Sequence, residues 1–156
     1  NSEGTLNDIG EQKELLDKIR TDFEEISLEV NKAEKLRRQL RDLMPIVSGE
    51  VLSSVKALDS IATEVENQMV QLKHTGKGQD GIRLPGMLME KMSYLASTIA
   101  IADFKPADQY LEVYEKLHKE WLQVQKDWEQ VKKEKVASLR KMMEDNQVGS
   151  LVIDEG

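Results

Sequence analysis

The sequence contains no cysteine, and among its 156 residues only nine are glycine and three are proline. The absence of cysteine excludes disulfides, thiolate metal sites and cysteine nucleophiles, although it assigns no compartment. An all-β fold needs a turn about every 8–12 residues, and such turns are rich in glycine and proline. Aromatic residues make up only 4% of the chain. These shortages together favour a helical protein.

Long apolar runs and an excess of basic charge are also missing. The longest apolar stretch, 94–102, is about half of the ~18 residues that a membrane span needs, so we predict no membrane span. The net charge is -7 and the pI is about 5.0. Such a charge disfavours binding to nucleic acid or to an anionic membrane surface. No N-terminal signal peptide is recognised, and the start at Asn1 suggests a fragment of a larger protein.

Hydrophobic periodicity predicts four amphipathic helices, at about 7–44, 48–74, 85–102 and 106–147, with a short tail at 149–156. In each helix the apolar residues recur at steps of three and four, which places them on one face. The stripe of the first helix begins Leu16, Ile19, Phe23, Ile26 and Val30, and that of the last reads Tyr110, Tyr114, Leu117, Trp121, Val124, Trp128 and Val131. A phase change then puts Lys135 at the next heptad position, and Val136, Leu139 and Met142 continue the stripe.

Proline, histidine and glycine mark the predicted helix ends. Pro45 closes the first helix, because the residue before a proline is disfavoured in helical conformation. His74 and Gly76 end the second, Pro85 and Pro106 begin the third and fourth, and Gly149 follows the last.

Short connections favour antiparallel neighbours, so we predict an all-α fold, an up-down-up-down four-helix bundle with long first and last helices, in a single domain. The first and last helices should extend beyond the other two. That extension would expose part of both apolar stripes unless another domain or a second copy covers it, so a homodimer is one expectation.

Two short motifs suggest cofactor or metal chemistry, and neither has the required context. Residues 76–81 match G-x-G-x-x-G, but a helix precedes them where a dinucleotide site needs a strand. Glu115 and His118 have the spacing of di-iron bundle ligands, which require a second such motif. We therefore predict no cofactor and no metal, and a solvated face for Glu115.

Two basic clusters, Arg37-Arg38-Arg41 and Lys132-Lys133-Lys135, lie among acidic residues. Pairs along the surface of one helix, at three- and four-residue spacing, account for them. Neither histidine is expected near a catalytic partner, and no G-x-S-x-G sequence is present, so the chain itself is predicted not to be an enzyme.

Tyr114, Trp121 and Trp128 form an aromatic ladder, each seven residues from the next. Two interpretations stay open. Such spacing is typical of bulky core residues. The rings could instead stack on a sugar, as in a carbohydrate-binding or hydrolase-associated module.

Two turn motifs in the second half carry a family resemblance. The first is Gln79-Asp80-Gly81-Ile82-Arg83-Leu84-Pro85-Gly86-Met87-Leu88, and the second is Asp103-Phe104-Lys105-Pro106-Ala107-Asp108-Gln109. They resemble the C-terminal helical region of large bacterial proteins with sortilin-type, BNR-repeat β-propellers, labelled glycosyl hydrolases or photosystem II stability factor-like. The matching positions are Asp80, Ile82, Pro85, Leu88 and Pro106. That family has Pro-Thr at the second motif, whereas this chain has Pro106-Ala107.

The resemblance covers 61–153 and implies an accessory domain of an exported, extracellular or periplasmic protein. Any propeller and any hydrolase activity would belong to the parent protein, upstream of Asn1. The expected function is that of a non-catalytic interaction domain that packs on or spaces the propeller, or self-associates.

Overall fold

A computed structural model describes residues 6–71, 87–101 and 108–148, and every regular element in these ranges is helical. The all-α prediction is thus confirmed. The helices are α1 (Leu6–Leu43), α2 (Gly49–Met69), α3 (Leu88–Ala100), α4 (Asp108–Val131) and α5 (Ala137–Asp145). A 3-10 turn, Met44–Ile46, follows α1, and a π-helical segment, Lys132–Val136, joins α4 to α5.

Proline and local hydrogen bonds set the helix ends that were predicted around residues 45 and 74. As predicted, α1 stops before Pro45, which lies inside the 3-10 turn. The predicted end of the second helix at His74 is wrong, since α2 ends at Met69. The backbone N–H of Gln71 donates to the carboxylate oxygens of Glu90, at 3.1 and 3.3 Å, instead of continuing the helix.

The end of α5 is made by a residue that sequence reasoning overlooked. Gln147 has a φ of 58°, in the left-handed region. The N–H of Val148 donates to the carbonyl of Met143, and that of Gln147 to the carbonyl of Glu144, at 2.8 and 3.1 Å. This pair of bonds is the Schellman motif, which usually has glycine at the left-handed position. The helix therefore stops before Gly149, at Asp145.

The chain divides into two compact units, which are described separately. Unit 1 comprises 1–27 and 69–122, and unit 2 comprises 28–68 and 123–156. In unit 1, Gln12 near the start of α1 donates to the carbonyl of Ile99 near the end of α3. Along α1 and α4 the bonds follow the same order: Asp22 bonds to His118, and the later Glu25 bonds to the later Trp121. The later α1 residues Leu16 to Phe23 line a groove together with the earlier α3 residues Met92 to Ala96. Helix α1 thus runs opposite to α3 and parallel to α4.

These directions differ from an up-down-up-down order, in which α1 would run parallel to α3 and opposite to α4. In unit 2, α1 and α2 are antiparallel, because Arg37 pairs with Glu66 whereas the later Arg41 lies near the earlier Asp59. The short connection between α1 and α2 accounts for this pairing.

Each unit buries its own apolar side chains. The core of unit 1 contains Leu15, Ile19, Ile26, Met69, Leu88, Met92, Leu95, Ile99, Tyr114, Leu117 and Trp121, and that of unit 2 contains Val30, Ala33, Leu36, Leu40, Val51, Val55, Leu58, Ala62, Val65, Val124, Trp128, Val136, Leu139 and Met143. Two predicted core positions of α1 are wrong. Leu16 and Phe23 are only half-buried, because their neighbours Leu15 and Asp22 take the inward positions.

The π-helical segment lies where the sequence pattern changes phase. A π turn contains one residue more than an α turn, so it shifts every later side chain around the helix. The buried positions accordingly run from Trp128 to Lys132 and Val136. Val136 and Leu139 are buried and Lys135 is exposed, as predicted. Two other predictions are wrong: Lys132 is buried instead of lying on the surface, and Met143 is buried in place of Met142.

Candidate functional site

A buried carboxylate organises the polar groups of unit 1. Asp22 is 4% exposed and lies on the inward face of α1 between Ile19 and Ile26. Its Oδ2 atom accepts a hydrogen bond from the Tyr114 hydroxyl at 2.8 Å and lies 2.7 Å from Nδ1 of His118. Because an ionised carboxylate only accepts, we assign the hydrogen of the short contact to Nδ1 of the histidine.

The two α4 residues of this cluster are one helical turn apart and touch each other. The rings of Tyr114 and His118 stack with centroids 5.5 Å apart. Burial, followed by the hydrogen bond to Asp22, raises the pKa of Tyr114 well above its ordinary value of 10.0. Tyr114 therefore stays protonated and remains a hydrogen-bond donor throughout the neutral pH range.

The two tryptophans of α4 each bond to a glutamate of α1. In unit 1, Nε1 of Trp121 donates to Oε1 of Glu25 at 3.0 Å. In unit 2, Nε1 of Trp128 donates to Oε1 of Glu29 at 2.8 Å. These bonds satisfy the indole N–H groups, which would otherwise be costly to bury.

Lys132 completes the unit 2 cluster. Its ammonium lies 3.4 Å from Glu29, 2.9 Å from Glu129 and 5.6 Å from the ring centre of Trp128. The π-helical segment turns this lysine inward, where two carboxylates and an aromatic face compensate its charge. Lys132 was predicted to pair on the helix surface, and only its contact with Glu129, three residues away, fits that description.

A second charged cluster in unit 2 joins α1 to α2. Arg37 Nη1 bonds to Oε1 of Glu66 at 2.5 Å, and Arg37 Nε lies 3.8 Å from Asp59. Glu66 is fully buried and its other oxygen has no hydrogen-bond partner. Burial outweighs the nearby guanidinium and raises the pKa of Glu66. Arg37 therefore pairs between helices, not along the surface of one helix as predicted.

The aromatic ladder belongs to the core. Tyr114 and Trp121 lie in unit 1 and Trp128 in unit 2, and both tryptophans are fully buried. Rings without exposed faces have no surface on which a sugar can stack, so their geometry gives no support to the carbohydrate-binding interpretation. The predicted motif residue Leu88 is buried at the start of α3. Asp80, Ile82, Pro85, Pro106 and the G-x-G-x-x-G segment lie outside the described residues.

The prediction that neither histidine has a partner is wrong for His118. Sequence reasoning placed Glu115 correctly on the exposed face but missed the contact of His118 with Asp22. One signal was available: Asp22 lies three residues after Ile19 and four before Ile26, a spacing that places it on the inward face. Within 6–71, 87–101 and 108–148, no group of three or more potential ligands could hold a metal ion.

Two open apolar grooves flank α3 in unit 1. The smaller, of about 220 Å³, lies between α1 and α3 and includes the half-buried Leu16 and Phe23. The larger, of about 510 Å³, lies between α3 and α4. Tyr94 and Val113 line the larger groove and are 75% and 45% exposed.

No protein-family model, curated protein or solved structure matches this chain. None of the helices in the described ranges is both long enough and apolar enough to cross a membrane.

Proposed function

We propose that this chain is a non-catalytic helical interaction domain. The observation that carries the proposal is the open apolar groove between α3 and α4, in which Tyr94 and Val113 remain exposed. Large exposed apolar side chains gathered in one groove are typical of a surface that binds another protein.

The use of the polar clusters supports the same proposal. Asp22 is occupied by Tyr114 and His118, and the two indole N–H groups are occupied by glutamates. These groups join helices to each other, so they serve the stability of the domain. The hydroxyl beside the Asp22–His118 pair is that of Tyr114, 3.3 Å from Nδ1 of the histidine. The raised pKa of Tyr114 keeps this hydroxyl protonated, which disfavours it as the activated nucleophile that a catalytic triad requires.

The proposal includes the identity of the parent protein. The turn motifs around Pro85 and Pro106 suggest an exported BNR-repeat protein in which residues 1–156 form one helical bundle domain. Its partner would then be the upstream propeller, or a second copy of the same domain. Any glycoside hydrolysis would belong to the rest of that parent protein.

The proposal is tested by separating binding from catalysis. The purified chain is incubated with a panel of chromogenic glycosides, and Asp22→Asn serves as the matched variant because it removes the carboxylate of the Asp22–His118 pair. We expect no hydrolysis above the blank for either protein. Hydrolysis by the wild type that Asp22→Asn abolishes, while circular dichroism stays unchanged, would refute the proposal.

Binding is measured in parallel. Sedimentation velocity of the chain, alone and mixed with the upstream part of its parent protein, should show association in at least one case. The proposed interaction role is contradicted if the chain remains monomeric at every concentration and does not bind the upstream part.

A further inference from the structure

The groove between α3 and α4 has an apolar floor and open walls. Its principal lining residues are Lys91, Tyr94, Leu95, Tyr110, Val113 and Leu117. Leu95 and Leu117 are buried, whereas Tyr94 and Val113 are exposed. The lining spans Glu90–Thr98 of α3, which is about 12 Å at 1.5 Å per residue. The groove is therefore about two helical turns long.

The groove lining carries two charged side chains, Glu90 and Lys91, of which only Lys91 is exposed. The Thr98 hydroxyl donates to the carbonyl of Tyr94 at 2.9 Å, and the Glu90 carboxylate accepts from Gln71. Lys91 is exposed and forms no ion pair with any residue in the described part of the chain. The ammonium group of Lys91 therefore lies beside the apolar floor, and no carboxylate of the described residues pairs with it.

The outward face of α3 continues this surface. Its exposed residues other than Lys91 carry no charge, in a chain of which 33% is charged; they are Ser93, Tyr94, Ser97 and Ala100, followed by Ile101 just after the helix. The low charge and Tyr94 match the composition of interface cores, whereas serine and alanine are less common there than on the rest of a protein surface. Tyr94 belongs to both this outward face and the groove.

We propose that the α3–α4 groove binds an amphipathic helix of a partner protein, with a carboxylate of that helix next to Lys91. The inference rests on the proposed interaction function and names the partner chemistry. Apolar side chains at positions i, i+3 or i+4, and i+7 of such a helix span two turns, which matches the length of the groove. Its acidic residue supplies a counter-charge for Lys91, which pairs with none of the carboxylates in the described ranges.

Size and openness favour a helix over the alternatives. A small ligand is normally buried over most of its surface, whereas walls as exposed as Tyr94 would leave it half in water. A second copy of the chain would need about 800 Å² on each partner for a standard interface. The face of α3, 13 residues long, is about 20 Å by 10–20 Å, which suits one helix.

The test selects helices without assuming a partner. A phage-displayed library of amphipathic helical peptides of about four turns is panned against the whole chain, and enriched peptides are synthesised with a fluorescent label. Affinity is measured by fluorescence anisotropy for the wild type, Tyr94→Ser, Val113→Ser and Lys91→Gln. Leu28→Ser is the matched control, because Leu28 is 61% exposed and belongs to unit 2.

We expect enriched peptides to be acidic and to lose about tenfold or more in affinity with Tyr94→Ser or Val113→Ser, as for central interface residues. Lys91→Gln should cost about two- to fivefold, which is the range for an exposed ion pair, and should remove the preference for Glu over Gln in the peptide. Leu28→Ser should change affinity less than twofold, a near-neutral effect of a residue outside the interface. Because these side chains are exposed, circular dichroism and urea unfolding should remain close to those of the wild type.

Three results would overturn the inference. One is a library that yields no specific helix. Another is a set of peptides that bind Tyr94→Ser and Val113→Ser as tightly as the wild type. In the second case the chain still binds protein, so the proposed function survives. The third is a wild-type dimer that Tyr94→Ser converts to a monomer in sedimentation velocity, which would assign the groove to a second copy.

Discussion

The buried Asp22 provides the sharpest test of how unit 1 is held together. Its Oδ2 atom is the shared partner of Tyr114 and His118, and each bond joins α1 to α4. Asp22→Leu replaces the carboxylate by an apolar group of similar size. The Tyr114 hydroxyl then lies in a buried site without its acceptor.

The expected cost follows from the bonds that are lost. Hydrogen bonds to a charged group contribute about 1.5–3 kcal/mol each, and an orphaned buried hydroxyl costs about 1–3 kcal/mol. The His118 side chain is 39% exposed and can turn to water, so we count the Tyr114 bond in full and the other in part. Asp22→Leu should therefore lower the free energy of unfolding by about 2–4 kcal/mol.

Removing both partners should restore most of this loss. In Asp22→Leu/Tyr114→Phe no hydroxyl is orphaned, and replacing a buried polar pair by apolar groups is often close to neutral. We expect the double variant to be within about 1 kcal/mol of the wild type, so that the double-mutant cycle gives a coupling of about 2 kcal/mol.

The assay is urea unfolding followed by tryptophan fluorescence. Because Trp121 lies in unit 1 and Trp128 in unit 2, all variants are made in a Trp128→Phe background, in which the signal reports unit 1 alone. Tyr114→Phe without the Asp22 change is the control for the lost hydroxyl. An Asp22→Leu variant as stable as its parent, or additive single and double effects, would refute this account of unit 1.

Three further predictions concern unit 2. Because burial raises the pKa of Glu66, the folded state binds the proton more tightly than the unfolded state, and its stability falls as pH rises through the folded pKa. Glu66→Gln keeps a hydrogen-bond acceptor for Arg37 and carries no charge. In urea unfolding it should therefore be more stable than the wild type at pH 7, and the difference should vanish near pH 4. A difference in stability that does not change with pH contradicts a raised pKa for Glu66. Met143→Ala should cost about 2–5 kcal/mol and Met142→Ala less than about 1 kcal/mol in thermal unfolding, whereas the reverse order would mean that the π-helical segment is wrongly placed. Gln147→Gly should stabilise α5 by up to about 1 kcal/mol, because glycine adopts the left-handed conformation without strain; a lower melting temperature would argue against the Schellman motif.

Periodicity located the helices well because it reflects which face of a helix avoids water. The predicted stripe of α4 has seven members. Its five inner ones are buried, and the end members Tyr110 and Val131 are half-buried; the buried five are Tyr114, Leu117, Trp121, Val124 and Trp128. On α1 the same pattern named Phe23, but Asp22 takes the inward position, although an aspartate is seldom buried. The burial of Asp22 is favourable because Tyr114 and His118 of α4 bond to it, and the sequence of α1 alone does not predict these contacts.

The composition and spacing of this chain determined that it is helical, where α1 ends at Pro45, and where the stripe of α4 changes phase. Both depend on the properties of one segment: backbone dihedral preference and the period of its apolar residues. Tertiary structure decided the directions of the helices within unit 1, the burial of Lys132 and Asp22, and the groove beside α3. Each of these depends on contacts between side chains of helices that are far apart in sequence. A buried charge is compensated, and an apolar groove is formed, only when those helices pack together.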